Sequence, residues 1–137
     1  MNKRVWIIPI MIVATNVLAV FVKWTALTEL LPAHFDLQGN ASGSMPRTML
    51  LVYPLIGAII NLIAYFFARV KPKFQTALVI LTSGIGLILL SSTLVTLTSG
   101  KFPVFMLAEP IILLATIVGS ISVILSSRKK SSERDRT

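Results

Sequence analysis

The sequence predicts an all-α integral membrane protein in which four transmembrane helices form an antiparallel bundle. The first observation is composition, because 55% of the 137 residues are hydrophobic and only 13% are charged, a balance far from that of soluble domains. The second is the grouping of the apolar residues into four blocks, each long enough to cross a hydrocarbon core of about 30 Å as a helix. The blocks cover residues 5–22, 48–68, 74–98 and 102–127.

The first block follows the basic start Lys3-Arg4, a pattern that is also typical of a cleaved signal peptide. No small-x-small cleavage site follows the block, and the chain continues past Lys23 into Trp24, a residue suited to the lipid interface. We therefore expect an uncleaved first helix.

Short connections join the remaining helices, RVKPK between the second and third and SGKFP between the third and fourth. Connections of this length make consecutive helices antiparallel neighbours. Pro9, Pro54 and Pro110 lie within apolar blocks, where a proline removes a backbone donor and tends to kink a helix. For helix packing, Ala115 and Gly119 form a small-xxx-small pair that favours close approach to a neighbour.

The basic residues indicate the topology. Ten of the thirteen lie before the first helix, between the second and third, or after the fourth. The positive-inside rule then places both termini in the cytoplasm and residues 29–47 outside. We read the net charge of +8 as a topology signal, so the expected partner is the lipid bilayer and not nucleic acid. Residues 128–137 form a basic cytoplasmic tail, which either binds acidic lipid head groups or is a solvated stop signal.

The sequence carries none of the usual patterns of catalysis. With no cysteine, disulfides, thiol catalysis and thiolate metal sites are excluded. No His-Glu-x-x-His helix, nucleophile elbow or phosphate-binding glycine loop occurs. We therefore expect a non-enzymatic protein, with no catalytic residue, no metal and no cofactor.

Three polar residues interrupt the apolar blocks. The amides of Asn16 and Asn61 are expected to point into the bundle, either as structural hydrogen-bonding groups or as part of a polar path. Glu109 marks a functional site, unless the membrane part of the last helix begins near Pro110 and residues 102–108 form an interfacial approach. An alternative function is transport of a proton or small solute along these residues and His34.

The outer connection ELLPAHFDLQGNASGSMPR, residues 29–47, is the most polar stretch before the tail. Pro32 is expected to stop the preceding helix, and the turn formers that follow predict an ordered loop. Ser44 and Pro46 suggest the cap and first turn of the next helix. Apolar side chains, including Phe35, are expected to seat the loop on the helix ends.

The same loop holds the single histidine of the chain. In an extended strand His34 and Asp36 point the same way, and with Glu29 and Glu109 they suggest a metal or acid–base cluster at the outer face. The ligands are few for a metal site, so we favour His34 capping a turn or hydrogen-bonding to Asp36.

This loop resembles the signature of a small bacterial membrane domain of unknown function, found as the N-terminal half of SdpI-type toxin immunity proteins. In that signature a proline is followed by a histidine, an aromatic residue, an acid or amide, a glycine, a polar turn and a basic residue. The matching residues are Pro32, His34, Phe35, Asp36, Gly39, Gly43 and Arg47.

The resemblance implies a multi-pass protein of the bacterial plasma membrane, and for the immunity members it implies protection against a secreted toxic peptide. It covers only the half that precedes their second membrane segment. Arg47 also stands where lysine is expected, and arginine makes a planar fork of contacts. The leading hypothesis is recognition of a secreted cationic or amphipathic peptide by the outer loop. The alternatives are a transport component or a subunit that binds another membrane protein.

Overall fold

The computed structural model of the chain describes residues 1–102 and 104–134, with side chains described as far as Lys129. Together with the 3-10 turns that flank them, its helices give four segments long and apolar enough to cross a membrane. This result confirms the predicted multi-pass class. The four helices are α1 (Ile7–Lys23), α2 (Val52–Val70), α3 (Gln75–Leu97) and α4 (Val104–Arg134).

Helix α4 differs from its predicted bounds at the C-terminal end. It continues through the basic residues as far as Arg134, where a separate tail was predicted from residue 128. Residues 135–137 of that predicted tail lie outside the described residues.

The predicted kinks fall in different contexts. Pro9 and Pro54 are each the third residue of their helix, and the first turn of a helix tolerates proline because its N–H groups lack α-helical partners in any case. Pro110 lies inside α4, where its missing N–H removes a helical hydrogen bond.

Helix α3 lies at the centre of the fold and contacts α1, α2 and α4, whereas the packing of α4 is dominated by α3. Glycines allow these close contacts: Gly84 meets Thr116 of α4, and Gly86 meets Ile12 of α1. The two residues of the small-xxx-small pair on α4 lie in different surroundings. Gly119 faces Ile80 of α3, whereas Ala115 is exposed.

The connection between α1 and α2 is a β-hairpin, whereas the sequence predicted only an ordered loop. Strands β1 (Leu30–Phe35) and β2 (Ala41–Pro46) pair in antiparallel register with His34 opposite Ser42. The hairpin satisfies backbone groups along both strands at once, which isolated turns do not achieve.

This hairpin corrects two boundary predictions. Pro32 does not end a helix, because α1 ends at Lys23 and Pro32 lies in β1 opposite Ser44. A two-stranded hairpin accepts a proline because each strand has an unpaired edge. Ser44 is likewise not a helix cap: the helical turn starts at Arg47, after Pro46, without a side-chain cap.

The hairpin is docked on the helix ends. Leu31 is buried with Val20 of α1 and Leu50, and the tip of the hairpin meets the α3–α4 connection. There Gly39 (φ 83°) and Gly100 (φ 70°) are in backbone contact, since a β-carbon on Gly39 would lie 2.7 Å from the Gly100 carbonyl oxygen. We call this side of the molecule the hairpin end.

The opposite end is held by an amide clasp. The backbone N–H of Asn2 donates to Oε1 of Gln75 at 3.0 Å, and Nε2 of Gln75 donates back to the Asn2 carbonyl. Gln75 is the first residue of α3, so this clasp ties the N-terminal segment to the start of the central helix.

Candidate binding site at the hairpin end

A polar cavity of about 260 Å³ lies where the hairpin meets the helices. Four elements contribute its polar wall: β1, α2, α3 and α4. The polar residues are His34, Tyr53, Ser92, Thr96 and Glu109. The structure therefore brings together two of the predicted candidates, His34 and Glu109, which are 75 positions apart in the sequence.

Glu109 is turned toward α3. Ser92 Oγ lies 2.8 Å from Glu109 Oε1 and donates to it, with the Ile88 carbonyl 3.1 Å away as a second acceptor. Residues 104–108 belong to α4 itself, so the segment expected as an interfacial approach is helical, and Glu109 lies in the second turn of the helix.

The residue after Glu109 changes the backbone hydrogen bonding of α4 beside this cavity. Pro110 has no N–H, so the carbonyl of Met106 lacks its usual helical donor, and Met106 lines the cavity. The wall thus combines a carboxylate with the hydroxyls of Tyr53 and Thr96. These acceptors favour a ligand group that is positively charged and rich in N–H donors, such as an ammonium or guanidinium group.

Asp36 does not line this cavity; it organises the hairpin turn. Its Oδ1 accepts from the backbone N–H groups of Gln38 (3.0 Å) and Asn40 (2.7 Å), and its Oδ2 accepts from Asn40 Nδ2 (2.8 Å). The predicted hydrogen bond to His34 is therefore replaced by bonds within the turn. The Asn40 side-chain amide, followed by its backbone N–H, lowers the pKa of Asp36 below the usual aspartate value.

We expect the hairpin turn to loosen in acid. Because the folded pKa of Asp36 is lowered, its contribution is fully present above the ordinary aspartate pKa and is lost as the pH falls through the folded pKa. The protection factors of the Gln38 and Asn40 amides, which are exchange rates corrected for the intrinsic effect of pH and measured by NMR, should fall through that transition. In Asp36→Asn the acid-dependent step should vanish. An Asp36 pKa at or above the ordinary value would contradict this prediction.

Arg47 is also used within the fold. Its guanidinium carbon lies 5.0 Å from the centre of the Trp24 ring, and its NH1 group donates to the Leu27 carbonyl at 3.4 Å. A planar guanidinium suits this stacked position better than an ammonium does. Its backbone N–H donates to the carbonyl of Glu29 (2.9 Å), and the Glu29 side chain is exposed.

The metal or acid–base cluster that the sequence suggested as an alternative is not assembled among the described residues. Within the described part of the chain, no three His, Asp or Glu residues are grouped to hold a metal ion. Of the signature residues, Phe35, Gly39 and Asp36 build or dock the hairpin. His34 is exposed and lines the cavity, so it is accessible to a ligand there.

The two asparagines lie elsewhere in the fold. Asn16 is 2% exposed and Asn61 is 9% exposed, and Asn61 Nδ2 donates to the Pro9 carbonyl at 3.2 Å. Their Oδ1 atoms are buried and have no protein partner among the described residues. Asn61 lines a separate, largely apolar cavity with Lys3, between α1 and α2.

Sequence reasoning missed part of the site. Tyr53, Ser92 and Thr96 were not among the candidate site residues singled out in the sequence. The pair Ser91-Ser92 near the end of an apolar helix was the available hint, since Ser91 also reaches α4 and donates to the Phe105 carbonyl at 2.6 Å.

Comparisons with protein-family models, with curated proteins and with solved structures find no match to this chain.

Proposed function

We propose that this chain is a non-enzymatic protein of the bacterial plasma membrane that binds a cationic side chain of a secreted peptide at its hairpin end. In this proposal the helices form an antiparallel bundle, both termini are cytoplasmic and the hairpin faces outside. The distribution of basic residues supports that orientation. The resemblance of the hairpin sequence to SdpI-type immunity domains favours a peptide as the ligand.

The observation that carries the proposal is the shared cavity of His34 and Glu109. Its volume of about 260 Å³ is below the usual range of about 300–1,000 Å³ for small-molecule pockets, so it suits one side chain of a larger ligand. Lysine or arginine matches the carboxylate of Glu109 and the neighbouring acceptors. His34 is exposed and lines the side of the cavity that the hairpin forms. A bound peptide would contact it there.

Recognition fits the geometry better than transport does. The cavity at the hairpin end and the cavity between α1 and α2 share no lining residue among those described. Asn61 lines the second of these cavities, and its amide nitrogen is bound to the Pro9 carbonyl, which gives it a packing role. His34 and Glu109 thus line one cavity and Asn61 lines another, and Asn16 lines neither of the two.

The test is survival of a sensitive bacterium that expresses the protein and is challenged with secreted membrane-active peptides. We expect protection against a cationic peptide, and at least a tenfold loss of that protection in Glu109→Gln, because a charge-assisted hydrogen bond contributes about 1.5–3 kcal/mol. His34→Ala should lose less, because it leaves the carboxylate of Glu109 in the cavity. Membrane levels of each variant are matched before the comparison.

The matched control is Glu29→Gln, which removes the same charge from an exposed position at the hairpin end that does not line the cavity. It should protect like the unmodified protein. Equal losses in Glu29→Gln and Glu109→Gln would mean that only the total charge matters, and absence of protection by correctly inserted protein would reject peptide immunity.

A further inference from the structure

A second groove lies at the hairpin end, between α1 and the end of α3, with a volume of about 590 Å³. Its wall is mainly apolar and includes Leu18 and Val22 of α1 and Leu94 of α3. Leu18 and Val22 are 63% and 67% exposed, so the groove is open on the surface that the membrane covers.

Two lysines line this groove, and they come from different parts of the chain. Lys23 is the last residue of α1, whereas Lys101 lies in the α3–α4 connection, and both are exposed. Among the described residues, the lining of the groove includes neither aspartate nor glutamate. Arg47, another cation near this end, is stacked on Trp24 and does not line the groove.

The position of Lys101 is fixed by the preceding turn. Ser99 and Gly100 both have positive φ angles, 51° and 70°, and Gly100 is packed against Phe35 and Gly39 of the hairpin. The backbone N–H of Lys101 donates to the Thr98 carbonyl at 3.1 Å. The docked hairpin therefore also holds the second lysine at the mouth of the groove.

We propose that this groove binds an anionic phospholipid from the leaflet on the hairpin side, with an acyl chain along Leu18, Val22 and Leu94 and the phosphate at Lys23 and Lys101. In a bilayer, acyl chains cover an exposed apolar groove whatever their headgroup. The two ammonium groups at one end then select for negative charge. The proposal rests on the membrane location of the helices and does not require the peptide ligand.

The test is lipid binding by the purified full chain in a neutral detergent, followed by native mass spectrometry during titration with phosphatidylglycerol or phosphatidylcholine. We expect phosphatidylglycerol to bind about tenfold or more tightly than phosphatidylcholine. Soluble glycerol 3-phosphate, at the same concentrations, should not bind measurably, because it lacks the acyl chains that occupy the apolar wall. Binding of glycerol 3-phosphate as strong as that of the lipid would identify an anion site and overturn the proposal.

The decisive variant is Lys23→Gln with Lys101→Gln, which should abolish the preference for phosphatidylglycerol. The matched control is Arg69→Gln with Lys71→Gln, which removes two exposed charges at the opposite end and should keep the preference. Val22→Trp, at an exposed position, should weaken binding of both lipids by filling the apolar wall. Equal binding of the two lipids to the unmodified protein, or equal loss in both double variants, would reject a specific groove.

This experiment separates the lipid site from the proposed peptide site. Glu109→Gln should retain its preference for phosphatidylglycerol while losing protection against the peptide. Loss of the lipid preference in Glu109→Gln would show that the groove is not the independent site proposed here.

Discussion

Replacing Gly84 by alanine is expected to separate α4 from α3 and to lower the free energy of unfolding by about 3 kcal/mol. A β-carbon at Gly84 would lie 1.8 Å from Oγ1, 2.5 Å from Cγ2 and 2.7 Å from Cβ of Thr116. Threonine is β-branched and stiff in a helix, and its Oγ1 already donates to the Ile112 carbonyl at 2.6 Å. The clash is therefore relieved chiefly by moving the helices apart.

The effect is large because the packing of α4 is dominated by α3. Thermal unfolding in detergent, followed by circular dichroism, should show a clearly lower midpoint for Gly84→Ala. Gly119→Ala is the matched control in the same interface, because its added carbon would lie 3.4 Å from Ile80 Cγ2, which is close to an ordinary van der Waals contact.

A second variant tests the cause. Combining Gly84→Ala with Thr116→Gly moves the β-carbon from one helix to the other and should recover much of the lost free energy of unfolding. The recovery is incomplete because a glycine within a helix costs about 1 kcal/mol. If Gly84→Ala alone unfolds at the same temperature as the unmodified protein, the close contact between α3 and α4 is not as tight as the structure shows.

The transmembrane helices were predictable because hydropathy is a local property. A run of about twenty apolar residues has few alternatives to a membrane helix, so the four blocks appear at nearly their predicted positions. The exceptions are at the ends. The bounds of α4 depend on how Arg128 and its neighbours continue a helix, which hydropathy alone does not decide.

The hairpin was not predictable from the same rules. Pro32 and Gly43 are unusual strand residues, and the polar stretch between them lacks the alternation of apolar and polar side chains that marks a strand. The docking of the hairpin also involves a contact distant in the sequence, the backbone approach of Gly39 to Gly100. Such an approach leaves no signal at either glycine beyond a general preference for turns.

The candidate site was predictable only in part. His34 and Glu109 were chosen because a single histidine and an acid within an apolar block are chemically unusual. That they line one cavity follows from the docking of the hairpin against α3 and α4, which is tertiary structure. Asp36 and Arg47 were equally conspicuous in the sequence, but the fold uses them to close a turn and to cover Trp24.

Replacing Gly100 by alanine is expected to undock the hairpin. Its φ of 70° is unfavourable for any residue with a side chain, and a β-carbon there would lie 2.6 Å from Phe35 Cδ1 and 2.9 Å from the Gly39 carbonyl oxygen. Strain and clash together cost about 2–3 kcal/mol. Amide exchange in β1 and β2 should accordingly accelerate by about thirtyfold or more, as measured by hydrogen–deuterium exchange.

Gly43→Ala is the matched control for backbone strain. Gly43 also has a positive φ, 68°, but its added carbon would lie 3.4 Å from Ala33 Cβ, so the substitution strains β2 without pushing the hairpin off the helices. It should accelerate exchange within the hairpin by a smaller factor. If amide exchange accelerates equally in the two variants, local backbone strain explains the whole effect and the docking contact at Gly100 is not supported.

The same variant connects the fold with the proposed function. An undocked hairpin withdraws His34 from the cavity while leaving Glu109 and Ser92 in place, and it releases Lys101 from the turn that positions it. Gly100→Ala should therefore lower both peptide protection and the phosphatidylglycerol preference, whereas Glu109→Gln lowers only the first. If a variant shows rapid amide exchange in the hairpin and still protects the cell fully against the peptide, the peptide is recognised through the hairpin sequence alone, without the cavity.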